Sequence, residues 1–438
     1  MELALGPLIL TLFILLLVFL LSGMQIAFAL MAVGLVGLYV FLPHCVPGDA
    51  ARQAWNAVNS YPLTAVVLYI YMGELIVQGG VSEVVYESLD KWLGGLPGGL
   101  LHSVIGFCAL FAAVSGSSVA TAATIGTVAI PPMKKRNYDP KLMSGAMAAG
   151  GALGILIPPS VIMILYGALA GVSIAKCFFG GIIPGLILTL LFMSYIALRA
   201  IKSPKLAPLY HEEISWRQRF AALRGIVPVF FLAVMILSGI YLGIWTPTEA
   251  AAVGCLGTFL MIIVRKKLSR SLIYQSLKRT LQTSSMVLMI LAGAGLVSYV
   301  MNYLRIPILL IEWINSVGLS PYVVLIFVCI IYYILGCFIE GISICIITVP
   351  IIFPAMVALG FDPIWFGIIL AINIEVSLIT PPVGMNLYVL KGIDADSKFG
   401  DIFVGVVPFV GMMSLLILIL TIFPDIVTWL PNLISEAY

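Results

Sequence analysis

Two pairs of adjacent prolines lie inside the most apolar parts of this chain, and they restrict its fold more than any other feature. Pro158-Pro159 interrupts the apolar stretch 139–171, and Pro381-Pro382 interrupts 362–390. Each pair removes two backbone donors and stops a helix from running through. Polar breaks divide two further apolar regions: Ser115-Gly116-Ser117-Ser118 within 99–132, and Glu340-Gly341-Ile342-Ser343 within 320–360. Each holds two stretches too short to cross a bilayer comfortably, joined by one polar turn at membrane depth. That pattern predicts a re-entrant helical hairpin shielded by protein.

These interruptions recur at fixed spacing. Pro131 to Pro140 and Pro354 to Pro363 both span nine residues, and Pro140 to Pro158 and Pro363 to Pro381 both span 18. Trp92 precedes the first hairpin as Trp313 precedes the second, and Ser22-Gly23 is echoed by Ser238-Gly239. The offset stays near 220, so residues 1–200 and 226–421 read as two copies of one unit.

The chain is 62% hydrophobic and 9% charged over 438 residues. Soluble domains run at about 45–50% and about 25% respectively. A polytopic membrane protein follows, and disordered, collagenous and disulfide-scaffold classes are excluded. Apolar runs predict spans at 4–21, 26–41, 61–78, 139–171, 177–199, 225–243, 250–264, 283–301, 362–390 and 399–421. Residues 1–22 carry no basic leader segment and read as a first span. With a hairpin counted as zero crossings, each copy has five spans. Five is odd, so the second copy enters from the opposite face and the repeat is inverted. With the N-terminus outside, 19 of the 22 Lys and Arg fall on the cytoplasmic side, and only Arg52, Lys176 and Arg305 fall outside. The positive-inside rule selects that orientation, with both termini periplasmic.

The linkers 205–224 and 265–280 read as interfacial helices, as does the amphipathic segment 82–93, which would anchor to the membrane surface or act as a brace. The seven cysteines form no CxxC pair and read as packing residues. A net charge of +3 excludes a nucleic-acid binder. There is no HExxH, GxSxG or Walker sequence and no nucleotide-binding domain, so neither an enzyme nor an ATP-driven pump is indicated.

Matched breaks in two inverted halves point to a binding site near the bilayer midplane. Half-helix N-termini suit a carboxylate, and unwound carbonyls suit a small hard cation. The tip 115–118 is expected to face the break 150–160, and the tip 340–343 to face 380–386. Small residues that merely kink packed helices are the plain alternative, but kinks need not repeat at equal spacing. Four acids lie in or near apolar segments. Glu340 and Glu375 are candidate coupling acids, whereas Glu74 and Glu249 also fit helix-end roles. His102 is expected to be a satisfied polar group.

Three motifs carry a resemblance. Ser-Gly-Ser-Ser-Val-Ala-Thr-Ala at 115–122, Ala-Gly-Gly-Ala-Leu-Gly-Ile-Leu-Ile-Pro-Pro-Ser at 149–160 and Thr-Pro-Pro-Val-Gly-Met-Asn-Leu-Tyr-Val-Leu-Lys-Gly at 380–392 resemble the large membrane subunit of tripartite ATP-independent periplasmic (TRAP) transporters. The resemblance implies a bacterial inner-membrane secondary transporter that imports an organic acid, such as a dicarboxylate or sialic acid. It implies Na⁺ as coupling ion and no other cofactor or transition metal. The implied partners are a periplasmic substrate-binding protein and a small four-span membrane subunit, expected here as a separate chain. It also implies an all-α inverted-repeat elevator, in which hairpins and broken helices slide as a block against a scaffold. On that pattern 1–80 would be scaffold helices, 176–225 a scaffold helix and the cytoplasmic linker, 226–301 scaffold helices and the arm helix, 81–175 and 302–395 the two halves of the moving block, and 396–438 the last span and tail. Carried over by position, Ser115, Gly116, Ser117 and Gly154 would line one sodium site, and Gly341, Ser343, Thr380 and Gly384 the other. Ser118, Pro159, Ser160, Pro382 and Asn386 would meet the substrate. A stand-alone sodium- or proton-coupled anion symporter of related fold is the alternative.

The charge asymmetry yields a first prediction. In a variant freed of native cysteines, cysteine at Arg136 should react with a membrane-impermeant maleimide only from the cytoplasmic side, and cysteine at Lys176 only from the outside. Labelling of both from one side would contradict the crossing of the membrane by 139–171.

Overall fold

A computed structural model describes residues 5–42, 47–209, 214–381 and 384–433. Among these, twenty α-helices and one short 3₁₀ turn occur, and no strand. The first copy comprises α1 (Leu5–Leu21), α2 (Ile26–Phe41), α3 (Pro47–Val58), α4 (Tyr61–Gln78), α5 (Val81–Leu93), α6 (Leu100–Ser115), α7 (Ser118–Lys135), α8 (Pro140–Leu156), α9 (Val161–Ala170) and α10 (Ile174–Lys202). The second comprises α11 (Trp216–Tyr241), α12 (Pro247–Val264), α13 (Arg270–Tyr303), α14 (Ile306–Val317), α15 (Pro321–Gly336), α16 (Gly341–Ala358), α17 (Pro363–Ile379), α18 (Met385–Ile393), α19 (Phe399–Ile422) and α20 (Asp425–Asn432). Seven helices are long and apolar enough to cross a membrane, or eight if the bent pair α8–α9 is one span.

The duplication is visible helix by helix. α6 and α15 both have 16 residues, α7 and α16 both 18, and α8 and α17 both 17. The repeated Asp-Pro is a helix start. Asp139 accepts from the Leu142 amide at 2.9 Å, and Asp362 accepts from Ile364 and Trp365 at 2.8 Å. Each is followed by proline in the first turn, where a missing N–H costs nothing.

Packing is reciprocal between the copies. α2 packs along α13 as α12 packs along α4, and α8 meets α19 as α17 meets α10. The crossed pairs α9–α16 and α18–α7 mate in the same way. The second arm of each hairpin therefore leans on the broken helix of the other copy, and the first arm on that of its own. Two groups of helices result: α2, α4 and α11–α13 on one side, and both hairpins with both broken helices on the other. α10, in the 176–225 segment expected as scaffold, packs on α20 and on α6, α8, α9 and α17, and α19 packs on α8 and α17.

Two linkers differ from expectation. The 265–280 segment is not a separate interfacial helix. From Arg270 it runs without a break into the following span as α13, 34 residues long. In the first copy the corresponding stretch is split into α3 and α4, because Pro62 at the second residue of α4 cannot continue a helix. Likewise the end of the 205–224 linker is already the first turns of α11, started by a Ser215–Gln218 capping box. The segment 82–93 is a brace. α5 buries Val81, Val85 and Tyr86 against α11 and α6, and Trp92 Nε1 donates to the Arg219 carbonyl at 3.0 Å. Glu249 takes its helix-end role, accepting from the Thr246 amide at 2.8 Å and from its hydroxyl at 2.9 Å. His102 Nε2 pairs with the Pro97 carbonyl at 2.7 Å.

α8 and α19 approach so closely that a Cβ on Gly145 would overlap the Gly405 carbonyl, and one on Gly405 the Lys141 carbonyl. Gly145→Val should therefore force the pair apart, at a cost of about 1–3 kcal/mol. A lowered melting midpoint of the detergent-solubilised protein, relative to Gly411→Val at an open position, is the expected readout.

Candidate functional site

The first tip is built by capping. α6 ends at Ser115, and Gly116 turns the chain at φ +60°, a conformation that disfavours any residue with a Cβ. Ser117 then caps α7, accepting from the Ala120 amide at 3.4 Å. The Thr121 hydroxyl donates to the Ser117 carbonyl at 2.7 Å and accepts from Ser115 Oγ at 2.9 Å. This tip sits on the first break. A Cβ on Gly116 would lie 3.0 Å from the Pro159 carbonyl, and one on Gly154 would lie 2.9 Å from that of Ser117. At the break α8 and α9 bend by 41°, and Ser160 restarts the helix by accepting from the Met163 amide at 3.4 Å.

The second tip repeats the design with different atoms. Glu340, not a serine, caps α16, accepting from the Ser343 amide at 3.4 Å and its hydroxyl at 3.3 Å. α15 lies against α17, with Gly336 packed directly on Ser377, and Gly341 packs on Ile374 and Leu378. Cys337 Sγ is 3.8 Å from the Pro381 carbonyl, which joins this tip to the second break. Thr380 ends α17 with its hydroxyl donating to the Val376 carbonyl at 2.5 Å, and Gly384 restarts the chain at φ +53°. Pro382, assigned to the substrate by sequence, lies outside the described residues.

Both tips line one cleft of about 1550 Å³ between the two helix groups. Ser115–Ala120 and Glu340–Ser343 form its inner wall. Its outer wall is the α1–α2 turn with Gln25, the end of α4 with Gly73 and Glu74, and the first half of α13 with Arg279, Thr283 and Ser285. Glycine again permits the contact: a Cβ on Gly73 would lie 3.2 Å from the Ser115 carbonyl. Gly73 and Arg279 were missed by sequence reasoning. Gly73 stands in an unbroken apolar run, and Arg279 looks like one more cytoplasmic cation until α13 is seen to be continuous.

Of the substrate candidates, Ser118 is in the cleft wall and Pro159, Ser160 and Asn386 lie behind the tips. Pro159 and Ser160 are buried in the first break. Ser118 and Asn386 are buried and bonded to each other: Asn386 Nδ2 donates to Ser118 Oγ at 2.8 Å, and Ser118 Oγ donates to Glu375 Oε2 at 3.0 Å. Among the described residues no cluster of three or more His, Cys, Asp or Glu side chains could hold a metal ion. The cation-binding atoms on offer are the carbonyl and hydroxyl oxygens of the tips and breaks.

The model of the DctM component of tripartite ATP-independent periplasmic transporters matches residues 13–426. The chain belongs to this family. It is 34% identical to the C4-dicarboxylate TRAP transporter large permease protein DctM of Vibrio cholerae serotype O1, over 97% of both chains. It is 30% identical to the sialic acid TRAP transporter large permease protein SiaM of the same organism, over 94% of this chain and 96% of that one. Among solved structures, the Alcanivorax borkumensis YdaH transporter superposes with a TM-score of 0.65 at 14% identity, over 90% of this chain and 89% of that one. That likeness concerns the fold alone. As a DctM component the chain is a multi-pass membrane permease, and no catalytic family is indicated.

Gly154→Ala tests the seating of the first tip. Its methyl would crowd the Ser117 carbonyl, at a strain of about 1–3 kcal/mol. The melting midpoint of the detergent-solubilised protein should fall relative to Gly411→Ala, at an open position.

Proposed function

We propose that this chain is the large permease subunit of a sodium-coupled TRAP importer of an organic acid. A periplasmic binding protein delivers the substrate, and a small four-span subunit completes the membrane part. The observation that carries this reading is the convergence of both tips and both breaks on one cleft between two helix groups, in a chain of the DctM family.

The chemistry divides between the two ends of each interrupted helix. Carbonyls and hydroxyls of Ser115, Gly116, Ser117 and Gly154 take one sodium ion. Those of Gly341, Ser343, Thr380 and Gly384 take a second. The N-terminus of α7 aims free amides and a partial positive charge at the cleft, where the carboxylate of the substrate binds; at α16 the Glu340 carboxylate already takes that place. Sodium at the adjacent carbonyls raises that positive potential, which links ion and substrate occupancy. Helix ends select for carboxylate rather than for the rest of the molecule, in keeping with relatives named for C4-dicarboxylates and for sialic acid.

In the orientation set by the positive charges, the outer wall of the cleft consists of cytoplasmic helix halves: the end of α4 and the start of α13. The arrangement is then inward-facing. Import proceeds as an elevator, with the block of hairpins and broken helices sliding against α2, α4 and α11–α13 in the bacterial inner membrane.

Reconstitution tests this. Uptake into vesicles should require an inward sodium gradient, the binding protein and the small subunit together. Ser117→Ala and Thr380→Ala should each raise the sodium concentration for half-maximal uptake, with a fall in melting midpoint no larger than the loss of a helix cap brings. Uptake by this chain alone in sodium-free buffer would refute the proposal.

A further inference from the structure

We infer that Ser118, Glu375 and Asn386 form a further cation site, with a ligand set different from those of the two sites proposed above, and that it takes one sodium ion. The inference rests on the sodium-coupled reading above and adds an ion to it.

The three residues come from both copies: Ser118 opens α7, Glu375 lies in the last turns of α17, and Asn386 lies in the first turn of α18. Their exposures are 2%, 1% and 0%. The donors there are already committed. Asn386 Nδ2 gives its hydrogens to Ser118 Oγ at 2.8 Å and the Ala148 carbonyl at 3.5 Å, and Ser118 gives its only one to Glu375 Oε2. Glu375 Oε1 and Asn386 Oδ1 are left buried with no partner. Each buried acceptor left open costs about 1–3 kcal/mol, and more on a charged group.

The charge is also uncompensated. Among the described residues the ion pairs are Lys134 with Asp394 and Asp396, and Lys141 with Asp401, and none reaches Glu375. A buried carboxylate without a counter-ion is strongly disfavoured. A single small cation beside Oε1 and Oδ1 supplies what both oxygens lack and cancels the charge. The donor set is all oxygen: carboxylate, amide and, through its free lone pair, the Ser118 hydroxyl. Such a set suits a hard ion. One carboxylate balances one positive charge, so a monovalent ion leaves the site neutral and a divalent one does not. The ion also has a mechanical role. Because Ser118 belongs to the first tip and the other two ligands to the second copy, occupancy clamps the first hairpin onto the broken helix α17–α18.

The test compares wild type with Glu375→Gln, reconstituted with the small subunit and the binding protein. The reversal potential of uptake is measured over a series of sodium gradients, with and without a pH gradient. Expected is one sodium ion fewer per substrate in Glu375→Gln, with no response to pH in either protein. Asn386→Leu, nearly isosteric and apolar, should lose the same ion and provides a second variant should the first not assemble. Unchanged sodium stoichiometry in these variants overturns the inference and leaves the proposed function standing. A pH response in wild type that disappears in Glu375→Gln also overturns it, in favour of a proton at Glu375. Wild-type uptake indifferent to sodium overturns the functional reading itself.

Discussion

Hydrocarbon offers a peptide group no hydrogen-bond partner, so any interruption of a helix at membrane depth must be met by other parts of the protein. That requirement organises this molecule. Two helices are cut by proline pairs, and two hairpins turn back at Gly116-Ser117 and at Cys337–Glu340. The side chains at these cuts close the account locally: Ser117, Ser160 and Glu340 each receive amide hydrogens from the helix that follows. What remains open is turned towards a neighbouring cut. The tips therefore sit on the breaks, and the groups left unsatisfied by the backbone become the groups available to a ligand.

Close approach is the second condition, and it is met by removing side chains. Gly154 and Gly116 admit the first tip to the first break, Gly336 and Gly341 bring the second hairpin onto α17, and Gly73 lets α4 touch the first tip. The contacts within each copy are supplemented by crossed ones, α9 with α16 and α18 with α7, so the group of hairpins and broken helices is held together by surfaces from both halves. A cleft of about 1550 Å³ lies between that group and the other helices.

Much of this was legible in the sequence. Proline pairs have one effect in a helix, and equal spacing of Asp-Pro and Pro-Pro in two places exposes the duplication. The tips could be located because a polar turn stands out against an apolar background. Less legible were the features set by tertiary contact. The amphipathic pattern after Arg265 is the same whether the helix stops at the membrane surface or continues, and only the absence of a proline comparable to Pro62 hints at the fusion into α13. The brace made by α5 depends on Trp92 reaching Arg219, 127 residues away. Ser118 and Asn386 carry hydroxyl and amide groups suited equally to a substrate or to each other, and 268 residues of sequence separate them.

The crossed pairing of α9 with α16 has a consequence for biogenesis. The first hairpin and the first broken helix leave the ribosome long before Gly341, where α16 begins, and longer still before Glu375 and Asn386. Until then Ser118 has neither of those partners, and the surface of α9 that will receive α16 is uncovered. The nascent first half must therefore wait in the bilayer, or in the care of the insertion machinery, as an incomplete object. Assembly of the central block is necessarily a late event, triggered by arrival of the last quarter of the polypeptide.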